Sequence, residues 1–165
     1  MTDRDDQVVV QGGRAKAYRP LAEDARRAAL VAGLEAYDRG DAFLAHELLE
    51  PAWMGTRDVA ERELLQGLIK LAAASVHAAR GNAAGVEKNL RGARDRLADG
   101  ARSGEAVMSA EAAASAEAAA SADVGTAGGI DVAALLARID ARLASPIDLG
   151  DPPIAIPRPR DAGRG

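Results

Sequence analysis

The residues best suited to chemistry are close together in the stretch DAFLAHELLEPAW, residues 41–53. His46, Glu47 and Glu50 stand there among leucines and aromatic residues. On a helix these three positions share one side, because residues four apart lie one above the other. A histidine and a glutamate at that spacing can bind one divalent metal ion, and an imidazole beside carboxylates can exchange protons. The stretch therefore predicts a polar site, with His46 and Glu50 as the candidate metal ligands.

Comparison with known motifs limits the kinds of metal or catalytic site that these residues could form. His46-Glu47-Leu48-Leu49-Glu50 carries the first half of the zinc-protease pattern H-E-x-x-H, but a glutamate replaces the second histidine. The di-iron pattern E-x-x-H needs a glutamate three residues before His46, and Phe43 stands there instead. The sequence contains neither a glycine-rich phosphate loop nor a G-x-S-x-G motif. A metal site built from His46 and Glu50 alone remains open.

Other polar residues are candidates for the same site. Trp53 follows Glu50 by three residues, and its indole N–H is expected to donate to a carboxylate such as Glu50. Gln66 and His77 share a narrow face of the next helix, but eleven residues separate them. At 1.5 Å of rise per residue they cannot reach one small ion. We expect His77 to lie near a helix C-terminus as a surface or interface residue.

Lys70 lies beside Gln66 on that next helix. Unpaired buried carboxylates are costly, so Glu47 and Glu50 need hydrogen-bonding partners. Either Gln66 or Lys70 could supply one.

Apolar periodicity predicts four helices that would position these side chains. They span about 21–39, 42–54, 59–80 and 82–99. The first and third end in the same way, since Arg-Gly-Asp-Ala at 39–42 and Arg-Gly-Asn-Ala at 80–83 each supply a glycine stop and an N-cap residue. The sequence therefore predicts two helical hairpins in series.

The segments around this core differ in composition. A mobile arm, a linker rich in Ala, Ser and Glu, a short docking helix and a Pro-rich disordered tail are expected. The predicted fold class is all-α: a compact bundle of two helical hairpins plus a short C-terminal helix after a flexible linker. The expected ranges are 1–20 for the arm, 21–100 for the bundle, 101–129 for the linker, 130–145 for the helix and 146–165 for the tail.

Composition excludes several functional classes. The formal net charge is −4 with both signs interspersed, which disfavours a nucleic-acid surface. The chain has no cysteine, so disulfides and thiolate metal sites are excluded. The N-terminus MTDRDDQ lacks the apolar segment of a signal peptide, and no apolar run is long enough for a membrane helix. We expect a cytoplasmic protein that binds neither membrane nor nucleic acid.

Three stretches together resemble the DUF309 family of small, all-helical proteins of unknown function, most of which are bacterial or archaeal. They are FLAHELLEPAW at 43–53, LQGLIKLAAA at 65–74 and HAARGN at 77–82. The resemblance covers about residues 30–98. It implies a helical bundle and leaves the biochemical activity open.

Two functional hypotheses follow from these residues. We favour a binding or scaffolding module, in which the His/Glu/Trp motif forms a buried polar network and the paired hairpins offer a groove to a protein partner or a second copy. The alternative is a metal-dependent or acid/base enzyme of hydrolase type, centred on His46, Glu47 and Glu50. A divalent metal ion is the only cofactor that this alternative implies.

Overall fold

The computed structural model describes residues 7–114, 126–127 and 129–159 of the chain. These residues form five helices and two short antiparallel strand pairs, and the all-α prediction is confirmed. The helices are α1 (Glu23–Asp38), α2 (Ala42–Met54), α3 (Val59–Ala79), α4 (Ala83–Ala114) and α5 (Val132–Leu143). The strands are β1 (Val8–Gln11), β2 (Arg14–Ala17), β3 (Thr126–Ala127) and β4 (Ile130–Asp131).

The two helical hairpins turn as the repeated Arg-Gly-(Asp/Asn)-Ala sequence predicts. Gly40 and Gly81 have φ angles of +84° and +72°, a left-handed conformation that costs glycine little. Asp41 then caps α2, because its Oδ1 accepts from the Leu44 N–H at 3.0 Å. Asn82 caps α4 in the same way through the Gly85 N–H at 2.8 Å. Each hairpin thus packs its two helices against each other.

Glycines also set how closely the paired helices approach. A Cβ placed on Gly33 of α1 would lie 2.7 Å from the Leu49 side chain of α2. One placed on Gly67 of α3 would lie 2.7 Å from Leu97 of α4.

A leucine- and alanine-rich core lies between the helices, and α5 extends it by packing against α4. Ile130, Leu135 and Ile139 are fully buried there. Asp131 caps α5 through the Ala134 N–H at 2.9 Å, which fixes where this helix begins.

The N-terminal segment differs from the expected mobile arm. Residues 8–17 form a β-hairpin in which Gln11 pairs with Arg14 across a two-residue turn. Both turn residues, Gly12 and Gly13, have positive φ angles, +57° and +73°, as a tight hairpin of this type requires. Residues 8–17 are therefore not the expected arm, because the valine-rich strand VVVQ is followed by a Gly-Gly turn that folds the chain back on itself. Residues 1–6 lie outside the described part.

The expected linker and tail also need correction. Helix α4 continues to Ala114, beyond the expected end of the bundle at residue 100, since alanine is the strongest helix former. The rest of the linker, apart from residues 126–127 and 129, lies outside the described residues. In the tail, Ile154 and Ile156 are only 8% and 7% exposed, so this Pro-rich segment is packed on the bundle up to residue 159.

Candidate functional site

The polar trio His46, Glu47 and Glu50 comes together on one flank of α2. One potential ligand atom from each residue lies within 4.8 Å of the other two, and His46 Nδ1 donates to Glu47 Oε1 at 3.2 Å. The side chains of His46 and Glu47 are 33% and 52% exposed. The trio is therefore accessible from solvent and is not the buried network that the sequence suggested.

Helix α2 buries one face only. Ala45, Leu49 and Ala52 are buried, whereas Phe43 is 60% exposed and Leu44 is 38% exposed. An apolar helix is usually covered on several sides, but this one is not. It leaves the trio and an apolar patch open on the remaining faces.

Pro51 adds a second feature to the same helix. Helix α2 runs through Pro51 to Met54. Proline has no N–H, so the carbonyl of Glu47 lacks its usual donor four residues on. A backbone oxygen without that partner thus lies on the same turns as the trio.

A buried polar network does exist, and Trp53 belongs to it. Its centre is Arg62, which is 1% exposed and donates through Nη1 to the carbonyls of Trp53 at 2.8 Å and Thr56 at 2.9 Å. The guanidinium lies 5.0 Å from the centre of the Trp53 ring. The indole N–H donates to Gln11 Oε1 at 3.0 Å, and not to Glu50 as expected. This network joins the β-hairpin to α2 and α3.

Burial has an electrostatic effect at Arg62. It lowers the pKa of the guanidinium below its ordinary value, and the neighbouring Glu63 only partly opposes this shift. Both bonds of Arg62 go to neutral carbonyl groups, so the network serves to hold the ends of α2 and α3 together.

Gln66 and Lys70 do not meet the α2 glutamates. Among the described residues neither forms a hydrogen bond with Glu47 or Glu50, and the Oε1 of Gln66 is buried without a partner. The side chain of Lys70 lies along α4 at Gly92. The expected contact was wrong because Lys70 projects from the side of α3 that faces α4.

His77 lies at the junction of α3 and α4. Its Nδ1 accepts a hydrogen bond from the Asn82 side-chain amide at 3.0 Å, and its carbonyl accepts from the Asn82 N–H at 2.9 Å. Its placement at a helix C-terminus agrees with the sequence. His77 stabilises the turn and does not join the trio.

A second site emerges where the C-terminal segment lies on the bundle. Residues 152–158 run without helix or strand over α1 and α5, and the bundle donates hydrogen bonds to their main-chain carbonyls. The donors are Tyr37 Oη to Ile154 at 3.0 Å, Arg138 Nη1 to Ala155 at 2.7 Å, Arg142 Nη2 to Pro152 at 2.8 Å and the Asp131 N–H to Pro157 at 3.0 Å. The segment is therefore held through its backbone.

Side chains supply the remaining contacts of this segment. Ile154 and Ile156 are buried, and alternate positions of the segment thus face the bundle. Arg158 pairs with Asp38 of α1 at 3.0 Å. Burial also raises the pKa of the Tyr37 phenol, which keeps it protonated as the donor to Ile154.

The C-terminal segment lies in a groove on the bundle. This groove continues past the segment, between the tips of the two helical hairpins. A cavity of about 430 Å³ lies there, and its walls are largely aliphatic. Phe43 and Leu149 stand on its walls, and both are exposed. We call the bound and open parts together the C-terminal groove.

Sequence reasoning missed Tyr37, Arg138 and Arg142 as groove residues. Each is an ordinary helix residue, and nothing local shows that its donor points at residues 152–155. The signal that existed was in the segment itself: Ile154-Ala155-Ile156 flanked by prolines is an alternating apolar pattern in an extended stretch.

A larger cavity, of about 800 Å³, lies between α1, α3 and α4. Its wall includes Gly104 of α4 and Gly129, the residue before β4.

A family model described as "Domain of unknown function (DUF309)" matches residues 30–89, which run from α1 into α4, and it confirms the resemblance to this family over that part of the chain. No curated protein and no solved structure matches the chain significantly. In the described residues no helix combines the length and apolar character that a bilayer crossing requires.

Proposed function

We propose that this chain is a peptide-binding module whose ligand is an extended segment carrying two aliphatic residues at alternate positions between prolines. The observation that carries the proposal is how the C-terminal groove holds residues 152–158. Backbone carbonyls accept from fixed donors, and Ile154 and Ile156 are buried. Backbone bonds for affinity and alternate side-chain pockets for specificity are how proteins recognise extended peptides.

The bound segment then occupies the site in cis. A tethered ligand has an effective concentration in the millimolar range, so a partner peptide must displace it or bind beside it. The open part of the groove, with Phe43 on its wall, offers a starting point for such a partner. Prolines in the segment lower the entropy lost on binding, because their φ angles are already fixed.

The test uses the full chain and a fluorescent peptide with the sequence of residues 147–159. The variant Ile154→Asp/Ile156→Asp releases the resident segment by placing carboxylates where isoleucines are buried. Fluorescence anisotropy should show that this variant binds the peptide at least roughly 10-fold more tightly than the unaltered chain does, since its site is free. Adding Phe43→Ala to the variant should weaken binding, because Phe43 and Leu149 line one cavity.

The same peptide with aspartate at positions 154 and 156 is the matched control and should not bind. The proposal fails if the released variant keeps the circular dichroism of the bundle and yet binds neither peptide. Equal affinity for both peptides would also reject it, because the pockets would then contribute no specificity.

The α2 trio supports a second candidate function, divalent metal binding. Three potential ligands that suit Zn²⁺, one imidazole and two carboxylates, lie within 4.8 Å of one another on one exposed flank, and the Glu47 carbonyl lacks its helical donor. A metal ion held there with an open coordination position would polarise a bound water molecule, which is the chemistry of the hydrolase-type alternative.

The chain offers a matched control for this candidate, since it contains two histidines. Calorimetric titration with Zn²⁺ should detect a site that His46→Ala abolishes and His77→Ala preserves. Loss of binding in both variants, or no binding by the unaltered chain, would exclude the trio as a metal site.

A further inference from the structure

The side chain of Lys70 lies flat across α4 at Gly92. A Cβ on Gly92 would be 2.9 Å from the Cδ of Lys70, 3.1 Å from Cε and 3.2 Å from Nζ. The ammonium group is therefore held against the α4 backbone. A larger residue at position 92 would displace it.

Two further cations flank that point on α4. Lys88 precedes Gly92 by four residues and Arg96 follows it by four, so all three share one face of the helix. Lys70 reaches this face from α3 and places its ammonium between them. Three cationic residues thus lie within about two turns of one helix face.

The β-hairpin packs against the cluster at Arg96. A Cβ on Gly12 would lie 3.2 Å from Arg96 Nη2, so the hairpin turn rests on the guanidinium. Strand β2 leaves that turn and carries Lys16, which is half-buried. The nearby charges of Arg96, Lys88 and Lys16 lower the pKa of Lys70, after the larger effect of its own burial.

This cluster contains more positive than negative charge. Glu63 accepts two bonds from Arg96 Nη1, both at 3.1 Å. In the part of the chain that the structure describes, Lys16, Lys70 and Lys88 form no hydrogen bond and no ion pair. Like charges held this close raise the energy of the fold, and an anion between them would lower it.

We propose that Lys16, Lys70, Lys88 and Arg96 form a binding site for the phosphate group of a small phosphorylated molecule. The cluster has donors from three separate elements, β2, α3 and α4, which suits an oxyanion that accepts bonds in several directions. The neighbouring α4 cations Arg91 and Arg94 are paired with Glu87 and Asp140, so on this part of α4 the unpaired positive charge is confined to the cluster and does not extend along a nucleic-acid backbone. The ligand is therefore small.

The test is calorimetric titration of the full chain with inorganic pyrophosphate and, separately, with adenosine diphosphate. Lys70→Met keeps the length of the side chain and removes its charge. This variant should bind at least roughly 10-fold more weakly, because a charge-assisted hydrogen bond contributes that much. Arg91→Met, which removes an exposed α4 cation paired with Glu87, is the control and should leave binding unchanged.

The two ligands distinguish the sources of the phosphate group. Tighter binding of pyrophosphate would indicate an inorganic ligand, whereas tighter binding of the nucleotide would indicate a phosphorylated metabolite. Equal loss in Lys70→Met and Arg91→Met, or no binding by the unaltered chain, would overturn the site. Tighter binding of a single-stranded RNA oligonucleotide than of both small ligands would overturn the assignment to a small molecule.

Discussion

Gly67 and Gly104 form a matched pair that tests how closely α3 and α4 pack. At Gly67 an added methyl group would lie 2.7 Å from Leu97 Cγ, which is 0.7 Å inside the 3.4 Å limit of an ordinary contact. Leu97 is 1% exposed and cannot move freely. At Gly104, also in α4, an added methyl group would meet nothing within 4 Å.

Replacing a helical glycine with alanine contributes about 1 kcal/mol of stability through backbone entropy. Gly104→Ala should therefore raise the free energy of unfolding by about that amount. Gly67→Ala makes the same gain but also costs about 1–3 kcal/mol through overpacking. The difference between the two variants isolates the packing cost.

Urea denaturation followed by circular dichroism measures both variants against the unaltered chain. We expect Gly67→Ala to be less stable than Gly104→Ala by about 1–3 kcal/mol. Equal free energies of unfolding would refute the packing of α3 on α4 described above. They would mean that a methyl group at position 67 does not clash with Leu97.

Three further predictions concern the junctions, the network and the groove. Gly40→Ala and Gly81→Ala should each lower the free energy of unfolding by about 1 kcal/mol in urea, because alanine is strained at positive φ. Trp53→Phe removes the bond to Gln11, so it should cost about 1 kcal/mol and speed amide hydrogen exchange in the β-hairpin, with α5 as the unaffected control. The folded-state pKa of Tyr37 is raised above its ordinary value of 10.0, so the unfolded chain loses this proton first and stability should fall as the pH rises above 10.0. Tyr37→Phe should flatten that alkaline loss in pH-dependent melts, and an unchanged slope would contradict the role given to burial.

Local signals in the sequence predicted the bundle well. Gly40 and Gly81 end their helices, and Asp41, Asn82 and Asp131 cap the next ones, since these effects depend only on neighbouring residues. The Gly67 contact was also predictable, because a small residue on an apolar helix face permits close approach. The valine-rich stretch VVVQ followed by Gly12-Gly13 is an equally local signal for the β-hairpin.

The sites were harder to predict because they depend on residues far apart in the chain. Trp53 bonds to Gln11, 42 residues earlier, and Tyr37 bonds to Ile154, 117 residues later. Hydrophobic periodicity predicts which face of a helix is buried, but it does not predict which other element covers that face. Consequently the α2 trio was expected to be buried, whereas it lies on an open flank.

The most direct test of the peptide-binding proposal is a nuclear magnetic resonance titration of the isotopically labelled Ile154→Asp/Ile156→Asp chain with the unlabelled peptide of residues 147–159. We expect the largest shift changes at Tyr37, Arg138 and Arg142, whose side chains hold this segment in cis. Saturable changes at these residues would support a groove that recognises extended peptides. Changes confined to other surfaces, or none at all, would contradict it.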